Sequence, residues 1–139
     1  MVTLIDTNVL IYAFDPDSPF HEWADATLFQ ALTGEGAAVN PVILAELCVG
    51  DSEPDLVQSN LEYLGMTFLD LPCAVAQRAA EAFAACLEER NRSGAVTESK
   101  TPLPDFFIGA HAELLDVSLA TIETSRYRTC FPKVRLVTP

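Results

Sequence analysis

Short apolar runs alternate with longer stretches of helical spacing along the whole chain. Val2–Ile5 reads as a brief buried strand, and Val9, Leu10, Tyr12, Ala13 and Phe14 supply the apolar positions of a helix behind it. Asp15-Pro16-Asp17-Ser18-Pro19 is a loop, because each proline disfavours helix in the residue before it. A second helix is expected from about Phe20 to Leu32, stopped by Gly34 and Gly36, with Trp23, Phe29 and Leu32 as core positions. Ala37–Val39 is a strand. Asn40 then caps a helix with Pro41 at its first position, a favoured pairing of cap and fixed φ. The polar stretch 51–55 leads to a helix closed by Gly65, and Met66–Leu69 looks like a third strand. The longest helix runs from Ala74 to about Arg92. Gly94–Pro104 is a polar loop, followed by helix from Pro104 to Leu115 and strand over Val117–Ile122. A turn or short helix at Thr124–Arg128 precedes a last strand at Val134–Val137.

Strands that alternate with helices predict an α/β fold. The expected form is a three-layer sandwich, with a short, mostly parallel central sheet flanked by helices and one domain over residues 1–139. In open α/β sheets, ligands lie beyond the carboxyl ends of the strands. Asp6 and Glu123 fall at such ends. Glu46 and Asp105 fall in helices whose starts face the same edge. Four acids remote in sequence are therefore expected around one crevice.

Carboxylates set among apolar residues are costly unless a cation or hydrogen-bond donors meet them. Two of them about 4 Å apart repel by about 4 kcal/mol at an effective dielectric of 20. They share a proton or bind a cation. Oxygen-only ligands favour hard ions such as Mg²⁺ or Mn²⁺, which activate water and steady a leaving oxygen at a phosphodiester. Each acid taken alone also fits a structural role, such as a turn, a helix cap or the complement of a helix dipole. Only their joint placement at one edge favours chemistry.

Composition narrows the setting. Half the 139 residues are hydrophobic, which fits a folded globular chain. No apolar stretch approaches the roughly 20 residues of a membrane-spanning helix, and no basic, signal-like segment opens the chain. A cytoplasmic location with no membrane partner is the expectation. The net charge of -12 argues against a broad basic surface for nucleic acid. All eight basic residues follow position 77, and Arg126, Arg128, Lys133 and Arg135 cluster near the end. The four cysteines show no zinc-like spacing and are expected as reduced, buried thiols.

Asp6-Thr7-Asn8-Val9-Leu10-Ile11-Tyr12 resembles the opening of a PIN domain. The resemblance continues in order through Ala45-Glu46-Leu47, Pro104-Asp105-Phe106-Phe107-Ile108-Gly109-Ala110, and Thr121-Ile122-Glu123 with its closing Arg126-Tyr127-Arg128 and Phe131-Pro132. Among PIN domains the compact form is similar to the VapC toxins of toxin–antitoxin pairs. The resemblance implies a Mg²⁺- or Mn²⁺-dependent endoribonuclease acting on structured RNA, a homodimer, and a small antitoxin partner. It implies Asp6 and Asp105 as main metal ligands, Glu46 as ligand or orienter of water, and Glu123 as the fourth acid where the usual pattern has Asp. It also implies supporting polar roles for Thr7, Asn8 and Thr121, and RNA or antitoxin contacts for Arg126 and Arg128.

Other functions stay open at the level of sequence. A haloacid-dehalogenase-like phosphatase wants a second Asp two residues after the first, and Asn8 stands there. A non-cleaving PIN-like binder of RNA or protein, or an RNA-processing nuclease with no toxic role, fits the same residues. His21 and His111 are expected in packing or surface roles. Tyr12, Phe14 and Phe20 are expected in the core or on a dimer surface.

Overall fold

The structure is a computed structural model that describes residues 1–92 and 103–139. Most of the expected Gly94–Pro104 loop therefore lies outside the described residues. Five strands form one sheet: β1 (Thr3–Ile5), β2 (Ala37–Val39), β3 (Thr67–Phe68), β4 (Ser118–Ala120) and β5 (Leu136–Val137). Seven helices accompany them among the described residues: α1 (Thr7–Ala13), α2 (His21–Thr33), α3 (Pro41–Val49), α4 (Pro54–Leu64), α5 (Ala74–Arg92), α6 (Leu103–Leu115) and α7 (Thr124–Cys130).

The strand order is β3-β2-β1-β4-β5, and every pairing is parallel. The sheet is thus wholly parallel, where the sequence suggested mostly so. Parallel strands need crossovers, and the helices supply them on both faces, giving the expected three-layer sandwich. The central strands read as continuous apolar runs because both faces are covered: Leu4, Ile5, Ala37, Ala38, Val39, Leu119 and Ala120 are all fully buried.

Local chemistry sets the element ends. Asn40 accepts the Ile43 amide at 3.0 Å and Pro41 opens α3. Gly65 ends α4 in the left-handed region at φ 91°, where a Cβ would be strained. The strand expected over 117–122 is confined to Ser118–Ala120, the residues that pair with Thr3–Ile5 of β1. Glu123 stands at the N-cap position of α7, with no side-chain cap hydrogen bond, instead of ending a strand.

Two packing expectations are corrected. Phe29 is 65% exposed, while Trp23 and Leu32 are half-buried against the core. With about 3.6 residues per turn, Phe29 lies about 120° and Leu32 about 180° around α2 from Trp23, so the three do not share one face, and the core reaches Trp23 and Leu32 but leaves Phe29 exposed. Cys86 and Cys130 are joined in a disulfide, with Cα atoms 6.0 Å apart, where reduced thiols were expected. Cys48 is half-buried and Cys73 is exposed, both free. The pairing ties α5 to the last residue of α7.

A second anchor holds the same helix. Phe131, just past α7, packs on Gly109 of α6 so closely that a Cβ there would lie 2.4 Å from the ring. Arg78 of α5 stands over that ring at 5.3 Å and also pairs with Glu113 of α6.

Candidate active site

Asp6 is the residue immediately after the central strand, and only 3% of its surface is exposed. Its amide continues the sheet by donating to the Ala120 carbonyl at 2.9 Å. Its side chain caps α1, with Oδ1 accepting the Thr7 amide at 2.8 Å. Oδ2 faces three further donors: the Thr121 hydroxyl at 2.7 Å, the Tyr127 hydroxyl at 3.3 Å and the Asn8 amide at 3.5 Å. The cap role and a place in the acid cluster are therefore not alternatives for this residue.

Thr7, Asn8 and Thr121 brace the cluster. The Thr7 hydroxyl donates to Glu46 Oε1 at 2.7 Å, which ties the start of α1 to the middle of α3. Asn8 Oδ1 accepts the Ile122 amide at 3.3 Å, and Thr121 Oγ1 accepts the Glu123 amide at 3.0 Å. These bonds hold the segment between β4 and α7 against the start of α1.

Burial dominates the electrostatics. It lifts the Asp6 carboxyl from its ordinary 3.8 to about 6. The Thr121 and Thr7 donors pull the other way, and the charges of Asp105 and Glu46 add to the rise. Asp105, in the first turn of α6, is also raised, by burial first; the Arg126 guanidinium opposes this, and Glu46 and Glu123 reinforce it. The charges of Asp105 and Glu46 thus act on Asp6, and that of Glu46 acts on Asp105, which places the three in one field. Glu123 enters it through Asp105 only, and its Oε1 accepts the Ser125 hydroxyl at 3.3 Å.

Two features escaped the sequence reading. Tyr127 is fully buried, and its hydroxyl reaches Asp6; burial and the two aspartates push its phenol well above the ordinary value. The sequence assigns it no role beyond its place in the Arg126-Tyr127-Arg128 motif. Arg126 was expected to reach outward to RNA or a partner, but its Nη1 pairs with Asp105 Oδ2. Arg128, two residues on, is exposed.

Both histidines have packing roles. His111 is buried in α6, its Nδ1 lies 3.0 Å from the Asn40 side-chain amide, and burial lowers its pKa. His21 Nδ1 contacts the Tyr12 carbonyl at 2.9 Å.

Among the described residues, no group of three or more His, Cys, Asp or Glu side chains is arranged to hold a metal ion as it stands. The donor set nevertheless suits a hard divalent cation. It consists of carboxylate oxygens that burial and mutual repulsion make poor places for negative charge. Arg126 supplies a single positive charge, and to Asp105 alone.

An apolar groove opens beside the acids. It has a volume of about 600 Å³ and is lined by Ile11, Phe14, Leu47, Tyr63 and Leu64 together with Glu46. Phe14 and Tyr63 are strongly exposed there. No helix among the described residues is long and apolar enough to cross a membrane.

Residues 3–131 match the PIN domain family. No curated protein matches the sequence significantly. Several solved structures share the fold. One is FitAcB from Neisseria gonorrhoeae, at 22% identity and TM-score 0.69, covering 100% of this chain and 98% of that one. A toxin–antitoxin complex from Klebsiella pneumoniae has 24% identity and TM-score 0.63, with 99% and 97% covered. VapBC2 from Rickettsia felis, bound to a promoter DNA fragment, has 19% identity and TM-score 0.67, with 99% and 98% covered.

Proposed function

The chain belongs to the PIN-domain family, and we propose that it is a metal-dependent endoribonuclease that hydrolyses phosphodiester bonds in structured RNA as the toxin of a toxin–antitoxin pair. The observation that carries this reading is the buried Asp6 carboxylate at the end of the central strand, coupled to Asp105 and Glu46. A folded protein retains such a charge cluster at a cost, and a divalent cation is the simplest species that offsets it.

Asp6, Asp105, Glu46 and Glu123 would hold Mg²⁺ or Mn²⁺. When bound, the ion supplies Lewis acidity toward a phosphodiester oxygen and lowers the pKa of an attacking water. The chain's own residues do the positioning. Thr121, Tyr127 and the Thr7 amide fix both oxygens of Asp6, so that its carboxylate needs little reorganisation. Thr7 orients Glu46. Glu123 is linked to Thr121 through its own amide, and its charge acts on Asp105.

The apolar groove beside Glu46 supports a protein partner, since contiguous exposed apolar surface marks an interaction site. The similar folds seen in complexes described as toxin–antitoxin or VapBC assemblies favour a small antitoxin as that partner. A homodimer and a cytoplasmic location complete the reading. The Arg126–Asp105 pair favours a second reading, a PIN-like domain that binds RNA or protein without cutting, because one expected metal ligand is already engaged.

The test is cleavage of total cellular RNA by the purified chain, with Mg²⁺ or Mn²⁺ and with excess chelator. Cleavage is expected only with metal, and is expected to vanish in Asp6→Asn and Asp105→Asn. Full activity in chelator, or in Asp6→Asn, refutes the metal reading. Toxicity on induction, relieved by co-expression of the neighbouring gene product, separates a toxin from a processing nuclease.

A further inference from the structure

We propose that Arg126 is a built-in counter-cation that holds Asp105 while no metal is bound and has to release it before Asp105 can ligate metal, so that this arginine sets the metal affinity of the site. The inference rests on the metal-dependent reading above. It concerns a residue that the sequence assigned to an external contact.

The geometry is specific to α7. Consecutive residues of this short helix engage the two aspartates: Arg126 meets Asp105, and Tyr127 meets Asp6. The two contacts differ in kind. Tyr127 donates a neutral hydroxyl, which leaves the charge of Asp6 in place for a metal. Arg126 brings a full positive charge, and its Nη1 donates to Oδ2, one of the two carboxylate oxygens a metal would use. The pair is largely shielded from water, with side-chain exposures of 26% and 17%. Glu46 and Glu123 both act on Asp105, so without a cation this corner would hold three carboxylates. A guanidinium balances one of them, whereas a divalent ion balances two and draws in oxygens from Asp6 and Glu46 as well. Exchange of arginine for metal is therefore favourable overall but opposed by the contact it breaks.

Asp105 is turned to its arginine, so the ligand set assembles only once that bond opens. The long, flexible arginine stem can swing to solvent without moving the backbone of α7, which Tyr127 and Phe131 keep in place.

Mn²⁺ titration followed by electron paramagnetic resonance tests this on the full chain, with no substrate and no activity readout. Arg126→Met is expected to bind Mn²⁺ about tenfold more tightly than the unaltered protein. Arg128→Met removes the same charge from an exposed neighbouring position and is expected to change affinity by no more than about twofold, which screens out a general field effect. Arg126→Gln serves as a second variant, and thermal melts confirm that each protein is folded. Equal or weaker binding in both Arg126 variants overturns the inference, as does equal tightening in Arg128→Met. If Mn²⁺ binds the unaltered chain and is lost in Asp105→Asn while Arg126→Met changes nothing, the inference alone fails. If no variant binds Mn²⁺, the metal reading falls with it.

Discussion

Replacing Asp6 by Asn is expected to stabilise the metal-free protein while destroying its activity. Asp6 titrates at about 6 in the folded chain against an ordinary 3.8. That difference is worth about 3 kcal/mol against the folded state once the carboxyl is ionised. The folded state is the one that binds the extra proton. The favourable contribution of protonated Asp6 is thus complete below about pH 4 and is lost as pH climbs through about 6. Between about pH 5 and pH 7.5 the unaltered chain should lose about 1.4 kcal/mol from this group alone.

Asn carries no charge to desolvate, so this component disappears. Its amide has to fit a site built from donors. Oδ1 can still accept the Thr7 amide, and the Oδ2 position is lined by two hydroxyls that can rotate to accept. That rearrangement costs about 1 kcal/mol. The net gain at about pH 7.5 is then about 1–2 kcal/mol, or a rise in Tm of about 3–7 °C for a chain of this size. Thermal melts by circular dichroism in chelator, at about pH 5 and pH 7.5, measure it. Asp105, raised in the same direction, leaves a residual slope in the variant. Added Mn²⁺ should reverse the ranking, because only the unaltered site gains binding energy, about 2.7 kcal/mol at a hundredfold excess over Kd. A variant that melts below the unaltered protein in chelator at about pH 7.5, with the pH slope unchanged, would refute the electrostatic account of the pocket.

Tyr127→Phe removes one donor from Asp6 and little packing; it should lower cleavage by about three- to tenfold with a Tm change of a few degrees at most, and a rate equal to that of the unaltered protein would show the hydroxyl to be incidental. Gly109→Ala drives a methyl into the Phe131 ring and should cost about 1–3 kcal/mol by denaturant titration, with loss of activity following from the displaced α7. Alkylation of the unfolded, unreduced protein should label two cysteines, Cys48 and Cys73, and spare the disulfide pair; reduction should cost up to about 4 kcal/mol for a separation of 44 residues, and labelling of all four thiols would restore the sequence expectation. Glu123→Asp should retain or raise activity, since a shorter carboxylate there still acts on Asp105; complete loss in an RNA cleavage assay would reassign Glu123.

The parts of the site legible in sequence are those set by local chemistry. Asp6 follows an apolar run, and such a run ends at a sheet edge. Asn40-Pro41 marks the start of α3 without reference to anything distant, which fixes Glu46 within that helix. What escaped depends on contacts between elements. Tyr127 and Arg126 look alike in sequence, as polar neighbours in a short basic segment, and only the rotation of α7 against β1 and α6 sends one to Asp6 and the other to Asp105. The Cys86–Cys130 pair needed the adjacency of α5 and α7, which no spacing encodes. Phe29 misled because apolar identity carries no information on whether another element covers that side of the helix.

These residues converge on α7. Seven residues are too few for a helix to be stable in isolation, so its place has to come from tertiary contacts. Three anchors provide them: the buried Tyr127, the Phe131 ring against Gly109, and the covalent link from Cys130 to α5. The same helix presents Glu123, Arg126 and Tyr127 to the acids, while Asp6 and Asp105 are fixed to the sheet edge and to α6. The acidic pocket therefore closes only when α7 docks, and two of its three anchors, Phe131 and Cys130, act at the opposite end of the helix, on α6 and α5. Substitutions at Arg78 or Gly109, which touch no carboxylate of the pocket, should act on metal affinity and cleavage together, through the rotation of one short helix.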